Sequence, residues 1–277
     1  MSIVAFWSSG KEETAKTLSM VAISTYMALK NNYRILTIST RYSDDTLESC
    51  FWQKSDLNPQ ARNPKQQYDI ASGIEGLAKA LKSNRITPEI ITNYTKVVYK
   101  DRLEVLLPPV ANSYEEYEKV FPMYQDLLIA ANKYYDIIFV DLNKGLNKKA
   151  VVDILSMADV IVVNITQRMK TIEEIMMLKQ ENPLFQKQNS ILLVGKYDKF
   201  SKFSAKNIAR YMGSKEEIMT MPYSTNFFDA TNEGLVDEFF WKYRNVSETD
   251  RNSIFCKEVD KNSQAILMKL QEVQMRR

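Results

Sequence analysis

A lysine and a threonine near the start of the sequence have the types and spacing suited to phosphate chemistry. Gly10, four further residues and then Ala15, Lys16 and Thr17 match the phosphate-loop spacing G-x-x-x-x-G-K-[ST], with alanine in place of the second glycine. In such a loop, backbone N–H groups and a helix N-terminus hold phosphate oxygens, the lysine reaches the β- and γ-phosphates, and the hydroxyl binds Mg²⁺. The segment therefore occupies the place of a phosphate-binding loop.

The same segment carries two acidic residues, Glu12 and Glu13, where phosphate would bind. Negative side chains oppose triphosphate binding, whereas carboxylates at a helix N-terminus are favourable and substitute for phosphate. Glu12 and Glu13 are compatible with a working phosphate-binding site, with the remnant of such a site, or with a solvated turn. We expect these acids to fill or screen the phosphate cradle, by pairing with Lys11 or Lys16 or by capping a helix that begins near Thr14.

Composition excludes several other chemistries. The sequence has no histidine, which excludes His-based triads and His-ligated metals. Its cysteines, Cys50 and Cys256, fit no metal or redox spacing, so we interpret them as buried or idle thiols. A net charge of +3 is too small to indicate nucleic-acid binding by itself.

The elements that must position the loop form an alternation of short apolar runs and longer helical patterns. The predicted strands are residues 3–7, 34–40, 103–107, 136–140, 160–165, 191–194 and 218–221. The predicted helices are residues 14–30, 69–83, 113–134, 148–157, 172–180, 205–212 and 234–244, with a C-terminal helix at about 246–275; residues 58–67 are predicted as a surface loop. The pattern predicts an α/β fold with a doubly wound, mainly parallel sheet and helices on both faces, whose ligand sites lie beyond the carboxyl ends of the strands.

The length and hydropathy favour one soluble domain. A chain of 277 residues with 45% hydrophobic residues can bury one large core, so we expect a single domain over residues 1–277. No apolar window is long enough to span a membrane and no signal peptide is indicated, which predicts a cytoplasmic protein. The C-terminal helix mixes acids into its polar face, so docking on the core is favoured over peripheral membrane contact.

Several segments resemble the ParA/MinD family of P-loop ATPases, whose deviant loop reads K-G-G-x-G-K-[ST]-[ST]. Residues 11–18 fill that frame, with both lysines and the first hydroxyl retained. The further matching segments, in chain order, are residues 136–145, 158–164, 221–223 and 229–234. Within the family, the general resemblance is to the CpaE/TadZ-type relatives, which are tied to pilus and secretion systems and also carry altered loops.

The resemblance implies a nucleotide site, with ATP and Mg²⁺ as the cofactors, and a role for each matching residue. Lys16 would bind the β- and γ-phosphates, Thr17 would ligate Mg²⁺, and Asp141 would support the metal through water. Lys11 would reach the phosphates of a partner subunit in a nucleotide-sandwich homodimer. The implied cofactor-binding residues are Gly10, Lys11, Glu12, Glu13, Thr14, Ala15, Lys16, Thr17, Leu18, Pro222 and Tyr223.

The sequence departs from the family pattern in the residues that perform the chemistry. Glu12, Glu13 and Ala15 stand where the family has glycines, so nucleotide affinity should fall. Residues 38–41 read Ile-Ser-Thr-Arg where the family carries strand-two acids, which removes the carboxylate that positions the attacking water. Residues 195 and 196 read Gly-Lys in place of a base-reading Asn-Arg pair. No catalytic residue is therefore assigned.

These observations predict a ParA/MinD-like positioning or assembly factor, of the pilus, secretion or cell-positioning type, that acts through dimerisation and partner binding. ATP binding is expected to be weak or lost, with little hydrolysis. One alternative is an active, slow ATPase whose nucleotide cycle controls a dimer. Another is a nonspecific DNA-binding partition protein, since residues 196–206 are rich in lysine with interleaved aromatics, although a solvated loop is the favoured interpretation.

Overall fold

The computed structural model describes residues 2–9, 12–42, 46–53, 74, 76, 77, 80, 88–108, 113–142, 149–186, 189–214 and 217–276. Its strands form one eight-stranded sheet in the order β3-β4-β2-β5-β1-β6-β7-β8. The strands are β1 Ser2–Trp7, β2 Ile35–Ser39, β3 Thr95–Tyr99, β4 Leu103–Leu106, β5 Ile137–Asp141, β6 Val160–Ile165, β7 Ser190–Tyr197 and β8 Met219–Pro222. Each neighbouring pair is parallel except β3 and β4, which pair antiparallel at one edge.

Helices cover both faces of this sheet. They are α1 Lys16–Lys30, α2 Thr46–Ser49, α3 Tyr114–Val120, α4 Tyr124–Ala131, α5 Lys149–Met157, α6 Met169–Glu181, α7 Pro183–Gln186, α8 Ala205–Tyr211, α9 Thr225–Glu233, α10 Val236–Lys242 and α11 Ser253–Met275, with 3-10 turns at Pro88–Tyr94 and Phe121–Met123. Successive side chains of a strand point to opposite faces. In β1, Ile3, Ala5 and Trp7 enter one core, while Val4 and Phe6 enter the other. The predicted doubly wound sheet is confirmed.

The central strands have the predicted neighbours. β1 pairs directly with β5, with Phe6 opposite Asp141, so the segment after β1 and the end of β5 meet at the same edge of the sheet. Seven strands were predicted with ends that differ by no more than three residues from the observed ones. The edge strand β3 was not predicted, because its side chains are half-buried or exposed and its partner lies only a few residues along the chain.

Some helix predictions need correction. The predicted helix over residues 113–134 is divided into α3 and α4 by a 3-10 turn at Phe121–Met123, since Pro122 cannot donate the helical hydrogen bond. Helix α9 was missed, because its residues were interpreted only through the resemblance. The predicted loop at residues 58–67 and most of the predicted helix at residues 69–83 lie outside the described residues.

The C-terminal helix packs on the protein core. It begins at Ser253, later than predicted, and buries Phe255, Val259, Ile266 and Leu270 in the core that α1 also covers. Ile254, by contrast, is 53% exposed. Within the described part of the chain, no helix is both long and apolar enough to cross a membrane.

Both cysteines are buried free thiols, as interpreted from the sequence. Burial raises the pKa of the Cys256 thiol to about 11.

Candidate functional site

The loop before α1 makes a left-handed turn immediately before its lysine. Ala15 has φ 53° and ψ 33°, and α1 begins at the next residue, Lys16. This conformation costs a residue with a Cβ roughly 1–2 kcal/mol, and glycine adopts it routinely. The alanine therefore keeps the backbone turn of a phosphate loop at an energetic cost that the surrounding structure offsets.

Gly195 in β7 supports this turn by close backbone contact. A Cβ placed on Gly195 would lie 1.9 Å from the carbonyl oxygen of Thr14, a distance that real atoms do not adopt. Only glycine lets the loop rest on β7 at this point. The residue that follows, Lys196, has φ 50° and stands where the pairing of β7 with β8 becomes irregular. The loop is thus held in place by the backbone of a neighbouring strand.

The N-terminus of α1 has no side-chain cap. Its N-cap residue, Ala15, makes no side-chain hydrogen bond to the first N–H groups, and its first turn contains no acidic residue. Such a helix end carries a partial positive charge and free donors that favour an anion. Thr14 is only 5% exposed, and its Oγ1 has no hydrogen-bond partner in the structure. A buried hydroxyl without a partner is costly, so this atom is a candidate donor for a ligand.

Lys16, Thr17 and Asp141 form a buried network at the end of β5. The Lys16 ammonium lies 2.6 Å from Asp141 Oδ1 and also donates to the carbonyl oxygen of Leu142. The Thr17 hydroxyl donates to Asp141 Oδ2 at 2.6 Å. Asp141 is fully buried and Lys16 is 6% exposed. Both residues that the resemblance assigns to phosphate and metal are therefore engaged by the same carboxylate.

Arg41 completes this group. Its Nη1 donates to Thr17 Oγ1 at 3.1 Å, so a guanidinium cation lies against the hydroxyl to which the resemblance assigns Mg²⁺. We name Lys16, Thr17, Arg41 and Asp141 the Asp141 network. The hydroxyl donates its single hydrogen to Asp141 and accepts from Arg41, so one lone pair remains, and it lies beside a positive charge. The arrangement fits an anion better than it fits a divalent cation.

The end of β2 positions Arg41. Thr40 N–H donates to the Asp141 carbonyl oxygen at 2.9 Å, which ties the segment after β2 to the end of β5. Two buried tyrosines hold the same segment from α3 and α4: Tyr124 donates to the Ser39 carbonyl oxygen at 2.9 Å, and Tyr117 donates to that of Thr40. Burial raises the pKa of both phenols. Arg41 is thus placed by backbone and core contacts rather than by a mobile loop.

Glu12 does not occupy the cradle in the expected way. Its carboxylate accepts from Thr166 Oγ1 at 2.6 Å and from Thr171 Oγ1 at 3.1 Å, and Arg168 donates to it at 3.0 Å. The Thr166 hydrogen bond, with Arg168 and Thr171, lowers the pKa of Glu12. In the described part of the chain Glu12 thus contacts Thr166, Arg168 and Thr171 rather than Lys16, and its predicted pairing with Lys11 lies outside the described residues. The side chain instead attaches the loop to the segment after β6 and to α6.

Glu13 has a different environment. Its side chain is 88% exposed, and its nearest basic partner is Lys196 Nζ at 3.5 Å. The residue at the N-cap of α1 is Ala15 rather than Glu13, and a pairing of Glu13 with Lys11 lies outside the described residues. Both acids nevertheless line the main cavity of this edge, a cleft of about 370 Å³. Its lining includes Ser8, Glu12, Glu13, Thr14, Ala15, Lys16, Thr17, Leu18, Arg41 and Lys196.

A smaller cavity adjoins the main one on the side of β8. It has a volume of about 40 Å³ and includes Ala15, Leu18, Pro222, Tyr223 and Phe227 in its lining. We name it the base-side slot. Tyr223 is 60% exposed, and its ring lies 5.9 Å from that of Phe228. The predicted site residues from Glu12 to Leu18 thus lie next to Pro222 and Tyr223, whereas Gly10 and Lys11 lie outside the described residues.

Sequence reasoning missed several residues of the site. Arg41 was noticed only as a departure from an acidic pattern, although the first charged residue after a central parallel strand is a fair candidate for the ligand edge. Arg168 follows the parallel strand β6 at the same edge, together with Thr166 and Thr171. As the first charged residue after that strand, it was a candidate for the same reason. In the described ranges, no cluster of three or more His, Cys, Asp or Glu side chains is placed to hold a metal.

The parallel sheet, with a left-handed turn and a lysine-bearing helix directly after its central strand, defines the class as a P-loop NTPase-type fold. A ParA family ATPase from Chlorobium tepidum is similar, with a TM-score of 0.68 and 14% identity over 95% of this chain and 97% of that chain. MinD in the MinC:MinD cell division complex of Aquifex aeolicus gives 0.63 at 17% identity over 96% of both chains. The septum site-determining protein MinD of Pyrococcus horikoshii, complexed with Mg-ADP, gives 0.59 at 13% identity over 97% and 98%.

These likenesses establish that the chain has the fold of ParA and MinD ATPases over nearly its whole length. No protein-family model and no curated protein sequence matches it significantly. The fold was therefore identifiable from short ordered motifs and from structure.

Proposed function

We propose that this protein is a ParA/MinD-like positioning or assembly factor that binds Mg-ATP weakly and hydrolyses little of it. The observation that carries the proposal is the Asp141 network. In this network the phosphate lysine and the metal hydroxyl share one buried carboxylate, and Arg41 lies where a metal would be expected. The fold is that of a nucleotide-binding protein, but the side chains of the Asp141 network already bind one another through an ion pair and hydrogen bonds.

Binding of Mg-ATP would have to rearrange this network. Lys16 would leave a fully buried carboxylate, and separating a buried ion pair is costly because the remaining charge has little solvent. Arg41 would also have to move, since a guanidinium and Mg²⁺ at the same hydroxyl repel each other. Glu13, which is exposed at the cavity, adds a negative charge near the phosphates. These three costs all reduce affinity for the metal complex.

The partner side of the proposal rests on Lys11 and on the neighbours. By resemblance Lys11 acts only across a subunit interface, which favours a homodimer. One structural neighbour, MinD from Aquifex aeolicus, forms a complex with MinC. We propose that this chain likewise acts by self-association and by binding a protein partner. The general resemblance to CpaE/TadZ-type relatives favours a pilus or secretion apparatus as the setting.

Enzyme assays separate this proposal from a slow ATPase. We expect purified protein to release phosphate from Mg-ATP no faster than the Lys16→Ala variant, which lacks the phosphate lysine and measures contaminating activity. Light scattering should give a dimer both with and without nucleotide. Turnover clearly above that of Lys16→Ala would favour the ATPase alternative, and a monomer under both conditions would contradict the proposed self-association.

The DNA-binding alternative has its own test. Phosphate-driven binding of DNA must weaken steeply with salt. The segment that suggested it presents an 85% exposed Phe200, and Lys199 and Lys202 lie over the rings of Phe200 and Phe203. We expect no mobility shift of duplex DNA at either low or high salt. A shift at low salt that disappears at high salt would favour the partition-protein alternative.

A further inference from the structure

The geometry points to Arg41 as a built-in cation that replaces Mg²⁺, so that the loop binds the phosphates of a nucleoside di- or triphosphate without a divalent metal. The inference rests on the proposed function and deepens it. The proposed function concerns weak binding of the metal complex, whereas this inference names the ligand form that the site accepts.

The Arg41 guanidinium lies where the resemblance would place a metal ion. Arg41 Nη1 lies 3.1 Å from Thr17 Oγ1, the oxygen that the resemblance assigns to the metal. Arg41 also lines the main cavity together with Thr14 and Lys16, so its charge faces the space where phosphates would lie. A planar guanidinium binds phosphate through paired N–H groups and stays positively charged at every working pH. It can therefore neutralise phosphate charge as a metal ion would.

Several groups at the main cavity can hold phosphate without a metal. Thr14 Oγ1 is buried, has no hydrogen-bond partner in the structure, and belongs to a residue that lines the same cavity. Helix α1 spans 15 residues. Its N-cap residue, Ala15, makes no side-chain hydrogen bond, and its first turn contains no acid. Lys196 also lines the cavity, where it lies 3.5 Å from Glu13 and offsets that negative charge. An orphan hydroxyl, free helix N–H groups and basic side chains together form an anion site.

The contacts of Asp141 and Arg41 disfavour Mg²⁺ at this site. Asp141 is fully buried. Its Oδ2 accepts from the Thr17 hydroxyl at 2.6 Å, and its Oδ1 forms an ion pair with the Lys16 ammonium at 2.6 Å without a hydrogen bond. A buried carboxylate that is already paired with an ammonium and accepts from a hydroxyl is poorly placed to hold the water ligands of Mg²⁺, which keeps several waters in protein sites. Arg41 then adds a repelling charge at the remaining ligand atom. The residues present fit phosphate and do not fit the metal.

Equilibrium dialysis with radiolabelled ATP tests this inference. Binding is measured in EDTA and in excess Mg²⁺ for the unaltered protein, for Arg41→Gln and for Arg41→Lys, which keeps the charge. The matched control is Arg210→Gln, an exposed arginine of α8 that does not line the cavity. Unlabelled pyrophosphate is added as a competitor, because a site that recognises phosphates should release ATP to it. Circular dichroism confirms that each variant folds.

The unaltered protein and Arg210→Gln should bind ATP at least as tightly in EDTA as in Mg²⁺, and pyrophosphate should compete. Arg41→Gln should lose about tenfold in affinity in EDTA and regain about tenfold when Mg²⁺ is added, so that the metal preference reverses. Arg41→Lys should keep the metal-free preference.

Three results would overturn the inference: binding by the unaltered protein only with Mg²⁺, the same metal response in Arg41→Gln as in the unaltered protein, or no binding in either condition. The last result would leave the proposed function standing, because weak or lost Mg-ATP binding is what that proposal states. Tight Mg²⁺-dependent binding with turnover would contradict both. The two ideas can thus fail separately.

Discussion

The two halves of the candidate site are built differently. On the phosphate side, Asp141 is fully buried and Lys16 is 6% exposed, and each is held by short polar contacts. On the base side, which is the side of the base-side slot, Tyr223 is 60% exposed and its ring lies against that of Phe228. The first region resembles a piece of the protein core, whereas the second resembles ordinary surface.

The difference bears on which part of the proposed nucleotide ligand the site would hold. A buried charged network is strongly destabilised when one partner is removed, so its residues are constrained together. An exposed aromatic side chain is constrained by little beyond its immediate neighbour. Under the proposed function we therefore expect recognition of phosphate groups with little selection of the base, and we expect the phosphate side to dominate both stability and binding.

The largest effect is expected from Asp141→Asn. The substitution keeps the shape of the side chain but leaves the buried Lys16 ammonium without its carboxylate, at a cost of about 3 kcal/mol in the free energy of unfolding. The matched control is Asp136→Asn at the other end of β5, where the carboxylate is 40% exposed and lies 3.8 Å from Arg34 Nε. That control should cost less than about 1 kcal/mol. Chemical denaturation measures both, and equal losses would contradict the difference between buried and exposed charge.

Gly195→Ala should give the next largest effect. Its Cβ would lie 1.9 Å from the Thr14 carbonyl oxygen, which is backbone and cannot simply rotate away, so we expect about 2 kcal/mol of destabilisation and a displaced loop. Gly213→Ala is the control, because Gly213 has φ +64° with no atom within 4 Å of the added Cβ. It should cost only about 1 kcal/mol. A Gly195→Ala protein as stable as Gly213→Ala would show that the loop does not rest on β7.

Glu12→Gln should have a moderate effect that depends on pH. The pKa of Glu12 is lowered in the folded protein, chiefly by the Thr166 hydrogen bond, so its contribution is present above the ordinary glutamate pKa and is lost as pH falls through the folded pKa. At neutral pH the substitution should cost about 1 kcal/mol. The gap between the two proteins should then narrow in acid. Glu13→Gln, at an 88% exposed side chain, should stay within about 0.5 kcal/mol throughout, and a gap for Glu12→Gln that is constant with pH would contradict the assignment.

Tyr223→Ala should have the smallest effect. Because the side chain is 60% exposed, the free energy of unfolding should change by less than about 0.5 kcal/mol. Tyr124→Phe provides the comparison on the phosphate side, since it removes a buried hydrogen bond to the Ser39 carbonyl oxygen and should cost about 1 kcal/mol. If Tyr223→Ala proves the more damaging of the two, the base side is more ordered than its exposure indicates.

The fold could be predicted from the sequence because its signal is local. The apolar runs of β1, β5 and β6 and the helices between them repeat the same unit, and the segment after β1 had the spacing of a phosphate loop. The edge strand β3 escaped prediction because its side chains are half-buried or exposed, so the pattern is faint. Pro122 could have indicated the break between α3 and α4.

The site was harder to predict, because its contacts join residues far apart in the chain. Lys16, Thr17 and Asp141 were assigned through motif resemblance, yet their mutual pairing follows only from the parallel pairing of β1 with β5. The attachment of Glu12 to Arg168 joins positions 156 residues apart. No spacing rule reveals such a contact. Sequence reasoning therefore placed Glu12 at the correct edge but did not predict its contact with Arg168.

Calorimetry of the purified protein with Mg-ATP is the most direct test of the central claim, that the Asp141 network already satisfies the groups a metal–nucleotide complex would need. The account predicts a dissociation constant of about 1 mM or weaker, or no measurable heat of binding. A dissociation constant of about 1 μM that requires Mg²⁺ would contradict it, because Lys16 and Thr17 would then be available to the ligand in spite of Asp141 and Arg41.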